Sequence, residues 1–405
     1  MRILILTESF LPKIGGAEIA VHNLAKGLVS SGHDVLVVCP RNGENCLHHN
    51  YVLRRYPVLR GLYRTGLIDC WVSLWLYKII KQWRPEIIHA HFAWPSGFAA
   101  MRIKTLFKLP VVITSHGADI QKRPDIGYGL RLNPRLDKKI RFALLNADFL
   151  VAISSDIHHE YVKIGVDQKR IADIPNCIDW ALLSQVDNSA RERLGMPSDQ
   201  IVLLAIGRNH PIKGFADLIQ IIGALSKKHP EMICLIVGKD VPDLDHLLNQ
   251  IGAESHVRLF DQVLPVGIEF EDPEIKLPGR LVTFLKAADI YVMPSLLEGL
   301  PVAAIEAMAA GLPVVATRTS GIEDLIQHGI NGFLIPLGDR EALAESLSQL
   351  ILNSQLRDRM GKASRQIAAA YDKSVIAAKH LEIYHQAISH TQRLNYSSFA
   401  PSNGV

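Results

Sequence analysis

Short apolar segments alternate with helical stretches along this chain, and this alternation constrains its fold more than any other feature. In the first half the apolar segments lie at 2–7, 35–39, 87–91, 111–115 and 149–154. In the second half they lie at 201–206, 234–237, 257–260, 290–293 and 314–316. Runs of this length and character are typical of strands buried in a parallel sheet that helices cover. The pattern predicts two open α/β domains.

The length of 405 residues also favours two domains, because one hydrophobic core rarely supports so long a chain. We place the first domain at 1–180 and the second at 198–370, with a polar linker between them. The acidic segment 266–280 indicates a surface insertion, and we expect residues 391–405 to form a disordered tail. Ligands bind at the carboxyl ends of strands in such folds, so the active site should lie in a cleft between the two domains.

Charge is unevenly distributed along the chain. Residues 1–180 contain 24 Lys and Arg against 15 Asp and Glu, which leaves 20 against 25 for the rest. Much of the excess falls in 54–84, where aromatic residues are interleaved, and in 122–141. Basic and aromatic residues together suit peripheral contact with an anionic membrane, whereas a solvated basic face would explain the charge equally well. Nucleic acid is not expected as a partner, because no binding module accompanies the charge.

The five cysteines are scattered and never form the close pairs of zinc sites or disulfide frameworks. They favour a reducing, cytoplasmic setting. The N-terminus resembles a strand rather than a secretory signal, and the most apolar stretch, 67–80, is too short to span a bilayer. We therefore expect a cytoplasmic protein, peripheral on the inner face of the membrane if the basic face binds lipid.

A glycine-containing loop lies between the first strand and the first helix, at Gly15, Gly16, Ala17 and Glu18. Bare glycine lets backbone amides approach a phosphate or a sugar closely. A tight turn would explain the same residues. The loop lacks the spaced glycines of a dinucleotide-binding fingerprint, which argues against a dehydrogenase.

Two cations follow the strand at 201–206, namely Arg208 and Lys213. Arginine offers a planar fork and lysine a point charge, and both can neutralise the charge that develops on a leaving diphosphate. Taken alone, the loop is equally well interpreted as an exposed turn.

Two glutamates flank the start of a helix that follows the strand at 290–293. Glu298 precedes the helix, Gly299, Leu300 and Pro301 form its start, and we expect Glu306 about two turns inside. Free amides at such a start can bind an anionic oxygen. Glu306 stands among apolar residues, so its carboxylate needs a hydroxyl or a cation as partner.

Imidazoles follow two strands of the first domain. His89 and His91 share a strand face, which allows a metal site, but no third ligand has matching spacing and we predict none. His116 and Asp119 follow the next strand and should lie at the same edge of the sheet.

Together these residues resemble glycosyltransferase family 4, whose members have the GT-B fold, an α/β fold with two Rossmann-like domains whose parallel sheets face each other across a cleft. The resemblance covers almost the whole chain and keeps the family's order. Its elements are 15–18, Gly32 with His33, 116–119, Ser154, Asn176 with Asp179, Gly207 with Arg208, Lys213 with Gly214, Ala288 with Asp289, Pro294 with Ser295, Glu298 with Glu306, and Gly332.

This resemblance implies roles for the residues. Catalytic roles fall to His116, beside the anomeric carbon, and to Glu298. The donor would be bound by Gly16, Arg208, Lys213, Val263, Gly299, Leu300, Pro301 and Glu306, with Glu306 on the ribose. Glu18, Asp119, Ser154 and Asn176 would lie on the acceptor side of the cleft. A last helix at 371–390 would cross back to the first domain.

The resemblance also implies a retaining transferase that needs no metal or other cofactor, with the leaving phosphate drawing the proton from the acceptor. We expect a uridine diphosphate sugar as donor and a lipid-linked or polysaccharide acceptor. Cys177 and Asp261 stand where the family usually has glycine, which leaves the base preference open. The same fold also serves epimerases, phosphorylases and proteins that only bind sugar nucleotides, and a membrane-docked scaffold is a further alternative.

Overall fold

The computed structural model describes residues 1–41, 49–269 and 279–397. Within this part the chain forms two compact units. The first contains 1–41, 49–176 and the segment from Lys373 to 397, and the second contains 177–269 and 279–372.

The first unit is built on a seven-stranded parallel sheet with the strand order β3-β2-β1-β4-β5-β6-β7. Its strands are β1 (Arg2–Thr7), β2 (Asp34–Pro40), β3 (Val52–Tyr56), β4 (Ile87–His91), β5 (Val111–Thr114), β6 (Phe149–Ala152) and β7 (Ile171–Asp173). Its helices are α1 (Gly16–Ser30), α2 (Arg60–Thr65), α3 (Ile68–Trp83), α4 (Phe98–Phe107), α5 (Pro134–Asn146) and α6 (Ser155–Ile164). Ile3, Leu4, Ile5 and Leu6 are fully buried, as expected of a strand that helices cover on both faces.

The second unit has a six-stranded parallel sheet with the order β10-β9-β8-β11-β12-β13. Its strands are β8 (Ile201–Ile206), β9 (Met232–Val237), β10 (Val257–Phe260), β11 (Ile290–Met293), β12 (Val314–Thr317) and β13 (Gly332–Ile335). Its helices are α7 (Trp180–Ser184), α8 (Ala190–Arg193), α9 (Phe215–Leu225), α10 (Asp245–Ile251), α11 (Leu281–Ala287), α12 (Val302–Ala310), α13 (Arg340–Leu352) and α14 (Ser354–Ala368). The prediction of two parallel α/β sheets is confirmed.

The strand order reverses once in each sheet, between β1 and β4 and between β8 and β11. At such a switch point the chain leaves neighbouring strands in opposite directions, which opens a crevice at their carboxyl ends. The predicted site residues follow these central strands and their neighbours.

The last helix, α15 (Lys373–Ser397), packs against α1 and β5 of the first unit. Gly27 of α1 makes the close approach possible, because a Cβ atom there would lie 2.5 Å from the carbonyl oxygen of Lys373. The sequence predicts a disordered tail from residue 391, and α15 continues past this residue to Ser397, since 391–397 contain no proline or glycine to end the helix. Residues 398–405 lie outside the described part.

The stretch predicted as a linker is part of the second unit. Arg191 of α8 donates to Asp289 at 2.5 Å and to the carbonyl oxygen of Ala287 at 3.1 Å, and α8 packs against α11. A guanidinium with a carboxylate partner fixes these residues on the domain surface. Of the predicted insertion 266–280, residues 270–278 lie outside the described part. No described helix is long and apolar enough to cross a membrane.

Candidate functional site

The loop after β8 carries the two cations predicted to bind phosphate. Arg208 is exposed, and within 1–41, 49–269 and 279–397 it forms no ion pair. Lys213 is followed by Gly214, whose φ of +68° and whose approach to Pro294 exclude a side chain, because a Cβ atom would lie 2.2 Å from the Pro294 carbonyl oxygen. The glycine therefore lets this loop pack tightly on the loop after β11.

Lys213 and Glu298 form an ion pair that joins these two loops. Nζ of Lys213 donates to Oε1 of Glu298 at 2.6 Å, and their side chains are 22% and 9% exposed. The amide of Leu296 also donates to the carbonyl oxygen of Ile212 at 2.7 Å. Sequence reasoning assigned both residues to the donor site but did not predict that they pair. Partial burial makes the pair stronger than an exposed one, so each side chain is held in place for a ligand.

The backbone at Glu298 is held from a third loop, which follows β12. Oγ of Ser320 donates to the carbonyl oxygen of Glu298 at 3.1 Å. Gly321 has a φ of +74°, and a Cβ atom there would lie 1.9 Å from the carbonyl oxygen of Gly299. Three neighbouring strands thus contribute the loops that position one carboxylate.

Helix α12 begins later than predicted. Pro301 is its N-cap and Val302 its first residue, so Glu306 lies little more than one turn inside rather than two. Proline fixes φ and has no N–H, which suits it to the residue before the first turn. The N–H groups of Val302 and Ala303 lack a helical carbonyl partner at this position and are candidate anion donors, which sequence reasoning missed.

Glu306 is almost fully buried in α12, where Ala304, Ile305 and Ala307 are also inaccessible. Burial raises its pKa to about 8, because an ionised carboxylate loses its hydration there. Tyr291 on β11 is fully buried, and this burial raises the pKa of its phenol, with a further contribution from the charges of Glu298 and Glu306. Sequence reasoning missed this tyrosine, although it is the one polar side chain in its strand.

Val263 follows β10 and is buried. Its amide was predicted to lie near the nucleobase. Leu264 and Gly279 are joined by a backbone hydrogen bond of 2.8 Å, which closes the segment that contains residues 270–278. The position of Val263 is thus fixed, and its contact with a base stays a prediction.

In the first unit, the glycine loop is held by contacts of its own. Gly15 is the N-cap of α1 and Gly16 its first residue, and a Cβ atom at Gly15 would lie 2.5 Å from the Glu18 carboxylate. The buried carboxylate of Glu18 accepts a hydrogen bond from the Ser9 hydroxyl and lies 3.7 Å from Nζ of Lys13. Glu18 therefore stabilises the loop, whether or not it also contacts a ligand.

Three imidazoles lie together at the carboxyl edge of the first sheet: His89 and His91 are buried in β4, and the partly buried His116 follows β5. Nδ1 of His89 bonds to the Tyr384 hydroxyl of α15 at 2.6 Å, and its Nε2 bonds to the Thr114 hydroxyl at 2.7 Å. Nδ1 of His91 bonds to Nε2 of His116 at 2.9 Å. Burial lowers the pKa of His116 to about 3, so its ring is uncharged at neutral pH.

His89 and His91 were considered as ligands of a metal ion. In the described ranges no group of three or more His, Cys, Asp or Glu side chains is arranged to hold a metal ion. Both nitrogens of His89 are already engaged with hydroxyl groups.

Asp119, Ser154 and Asn176 are all buried. Asp119 accepts hydrogen bonds from the amides of Ala93 at 2.7 Å and His116 at 2.8 Å, so it orders the turn that holds the imidazole. Ser154 is the N-cap of α6, and its hydroxyl neither caps the helix nor bonds to another described residue. Of these three side chains, Ser154 has a hydroxyl left for a ligand.

Glu8 was missed by sequence reasoning. It directly follows β1, and burial together with the Asp119 carboxylate raises its pKa to about 8. Nearby, the hydroxyl of Tyr56 is buried without a partner among the described residues. The signal was available, because Glu8 follows its strand just as His116 follows β5.

The sequence matches two family models. The family described as Glycosyltransferase Family 4 matches residues 14–181, and the family described as Glycosyl transferases group 1 matches residues 186–367. The two matches cover the successive α/β units in turn.

Two curated proteins show the range of similarity. The chain is 24% identical over 388 residues to the N-acetyl-alpha-D-glucosaminyl L-malate synthase of Bacillus anthracis, covering 93% of this chain and 95% of that protein. It is 30% identical over 313 residues to the D-inositol 3-phosphate glycosyltransferase of Pseudarthrobacter chlorophenolicus, covering 75% of this chain and 71% of that protein.

Among solved structures, the fold is similar to that of Anabaena HepE in complex with UDP and glucose. The TM-score is 0.75 at 20% sequence identity, with 95% of this chain and 100% of that chain covered. At this identity the likeness concerns the fold.

Proposed function

Because this chain belongs to the group 1 glycosyltransferases of family 4 and has the GT-B fold, we propose that it transfers a sugar from a uridine diphosphate sugar with retention of anomeric configuration. The observation that carries this proposal is the Lys213–Glu298 pair beside the open start of α12. It combines a cation, a carboxylate and free amides within one set of loops.

The donor diphosphate is assigned to Arg208, Lys213 and the first turn of α12. Two cations and a helix N-terminus supply positive charge where negative charge grows on the leaving phosphate. The same charge would substitute for a metal ion, and we therefore propose that transfer needs none. UDP as the leaving group is supported by the UDP held in the similar fold of HepE.

The two glutamates are assigned to different parts of the donor. Glu298 lies at the mouth of α12 and contacts the sugar, with Lys213 fixing its orientation. Glu306 lies inside the helix and accepts hydrogen bonds from the ribose hydroxyls, which provide the partners that its buried carboxyl needs. Gly299, Leu300 and Pro301 shape the turn between them.

His116 is proposed to act as a neutral ring beside the anomeric carbon. Its lowered pKa rules out a standing positive charge at neutral pH, so it positions the sugar by hydrogen bonding. In a retaining reaction on one sugar face, the oxygen of the departing phosphate takes the acceptor proton as the new glycosidic bond forms. A side-chain base is then not required.

The acceptor is proposed to be lipid-linked or a polysaccharide, bound near the carboxyl edge of the first sheet with Glu18, Asp119, Ser154 and Asn176. A small anionic acceptor is the second candidate. It is favoured by the names of the two relatives, which specify L-malate and D-inositol 3-phosphate. A lipid-linked acceptor would require the enzyme to work at a membrane surface.

The test begins with a thermal-shift screen of nucleotide sugars, since a true donor stabilises the native state that binds it. The stabilising donor is then incubated with lipid-linked, oligosaccharide and small anionic acceptors, with and without EDTA. Proton NMR of the early product reports the anomeric configuration.

We expect a product with the configuration of the donor, formed equally well in EDTA. An inverted product would contradict retention, and activity that EDTA abolishes and Mg²⁺ restores would contradict metal independence. Epimerised donor without transfer would indicate an epimerase, and donor binding without turnover would indicate a protein that only binds sugar nucleotides.

A further inference from the structure

The outward face of α3 combines exposed apolar residues with cations. Leu67, which precedes the helix, is 52% exposed and Leu74 is 50% exposed, while Trp71 and Trp75 are half-buried. Together with Lys78 these residues recur at intervals of three and four, so they share one face of the helix. We call this set the α3 outer face.

The opposite face of α3 already supplies the helix with its core contacts. Ile68, Val72, Leu76, Ile79 and Ile80 are buried in the first unit. The α3 outer face is therefore not needed to anchor the helix, and leaving two leucines exposed and two tryptophans half-exposed to water is unfavourable.

The tryptophans are arranged as in an interface rather than in a core. Nε1 of Trp71 donates to the carbonyl oxygen of Pro57 at 2.9 Å, and its ring lies 6.3 Å from that of Trp75. Nζ of Lys78 lies 5.8 Å from the Trp75 ring centroid. Such amphipathic rings with a neighbouring cation suit the headgroup region of a bilayer.

Four cations border the α3 outer face: Arg54, Lys78, Lys81 and Arg84 are all exposed. Arg54 is drawn against α3 by a hydrogen bond of 2.8 Å to Gln82. Across the three described ranges none of the four forms an ion pair, whereas Lys139 and Arg102 pair with Asp69, which is buried in the first turn of α3. The positive charge of these four cations is therefore not neutralised by described side chains, and an anionic partner can bind it.

We propose that the α3 outer face docks this enzyme on an anionic lipid bilayer. Lipid phosphates neutralise the four cations while Leu67, Leu74 and the tryptophan rings enter the headgroup boundary. Nucleic acid would match the charge but not the exposed leucines, and the core of a protein interface is depleted of charge. The inference goes beyond the transfer reaction and does not depend on which acceptor is used.

The test measures co-flotation of the full chain with vesicles of phosphatidylcholine alone or mixed equally with phosphatidylglycerol. Wild-type protein should bind only the anionic vesicles, and binding should decrease as NaCl is raised. The double variant Lys78→Glu/Lys81→Glu should bind at least about 25-fold more weakly, since each cation near the surface contributes about fivefold. Lys227→Glu/Lys228→Glu, which changes two exposed lysines of the second unit, should retain binding.

A second pair of variants tests the apolar contribution. Leu74→Ser should weaken binding severalfold, whereas Leu352→Ser, at a 74% exposed leucine of the second unit, should not. Wild-type protein that ignores anionic vesicles at low salt would overturn the proposal. So would equal losses in both charge variants, or full binding by Leu74→Ser.

UDP binding serves as the folding control for all four variants. None of these residues belongs to the donor site, so each folded variant should bind UDP as the wild type does. Vesicle binding without any sugar transfer would reject the proposed function but support the docking surface. Sugar transfer without vesicle binding would reject the docking surface but support the proposed function.

Discussion

The carboxyl edges of the two sheets hold their titratable side chains in different ways. In the first unit His89 and His116 are uncharged, and hydroxyl groups or a second imidazole engage their ring nitrogens. In the second unit Lys213 and Glu298 carry opposite charges and bind each other at 2.6 Å. The imidazoles of the first edge thus offer neutral hydrogen bonds, whereas Lys213 and Glu298 of the second edge offer charge.

This difference indicates a division of labour. A diphosphate needs positive charge, and the second edge provides it together with the start of α12. Sugar hydroxyls can also be positioned by neutral donors and acceptors, and the imidazoles of the first edge provide these. Four substitutions test whether the division is real.

The largest effect is expected from Glu298→Gln. We expect kcat to fall by about 100- to 1,000-fold, as when one preorganised electrostatic contact to a transition state is lost. The donor Kd should be nearly unchanged, because the amide removes no positive charge from the diphosphate site. Steady-state kinetics with donor titrations on the folded variant measure both quantities, and full activity would refute the role of Glu298.

Lys213→Ala should weaken the binding of UDP much more than that of uridine. Loss of a charge-assisted contact costs about 1.5 to 3 kcal/mol, or roughly 10- to 150-fold in UDP affinity. Calorimetric titration with both ligands measures the difference, with Lys227→Ala as a matched control at an exposed lysine. Equal losses for UDP and uridine would show that Lys213 does not bind the diphosphate.

Glu306→Gln should raise the donor KM by roughly fivefold, the effect of one hydrogen bond of about 1 kcal/mol, and leave kcat nearly unchanged. The reason is that Glu306 binds the ribose equally strongly in the ground state and in the transition state, so its loss changes KM but not the barrier from the bound state. If Glu306→Gln lowers kcat instead, Glu306 rather than Glu298 would be the glutamate that acts in the transition state.

The same variant tests the raised pKa of Glu306. A native pKa of about 8 against an ordinary value of 4.5 means that the folded state holds its proton longer than the unfolded state. The stability of the wild type should therefore decrease between about pH 4.5 and 8, a dependence that Glu306→Gln lacks. Between pH 5 and 9, the melting temperature of Glu306→Gln should rise relative to that of the wild type as the pH increases. A constant difference between the two melting temperatures would contradict the raised pKa of this buried carboxyl.

The smallest effect on ligand binding is expected from Tyr384→Phe. It leaves Nδ1 of His89 buried without its partner, which costs about 1 to 3 kcal/mol of stability. The melting temperature should decrease by several degrees, while the Kd for UDP should not change because the diphosphate is assigned to the other unit. A weakened UDP affinity would contradict the assignment of diphosphate binding to the second unit alone.

The strands that the sequence failed to predict share a position in the fold. β3 and β7 are the edges of the first sheet, and β13 is an edge of the second. Edge strands are short and can carry charged side chains, so the apolar run that indicates a strand is brief or interrupted. β3 contains Arg54 and Arg55, β7 has only three residues, and β13 begins with Gly332.

Among the site residues, the sequence predicted which side chains follow central strands but not how they interact. His116, Lys213 and Glu298 stand at the ends of apolar runs, and the ends of parallel strands meet at one edge. Glu8 obeys the same logic and was missed because no resemblance singled it out, whereas Tyr291 lies inside β11, where this logic gives no signal. Their assigned roles in binding and catalysis stay predictions.

What the sequence by itself determined is local: the periodicity of apolar residues within each strand and helix, and the glycines that allow close loops. Only the tertiary structure decided the pairing of Lys213 with Glu298, 85 residues apart, and of His89 with Tyr384, 295 residues apart. The physical reason is that backbone propensity and hydrophobic pattern act over a few residues, whereas these contacts depend on strand order and on the return of α15. The raised and lowered pKa values follow from the same packing, because desolvation exists only once the chain has folded around the group.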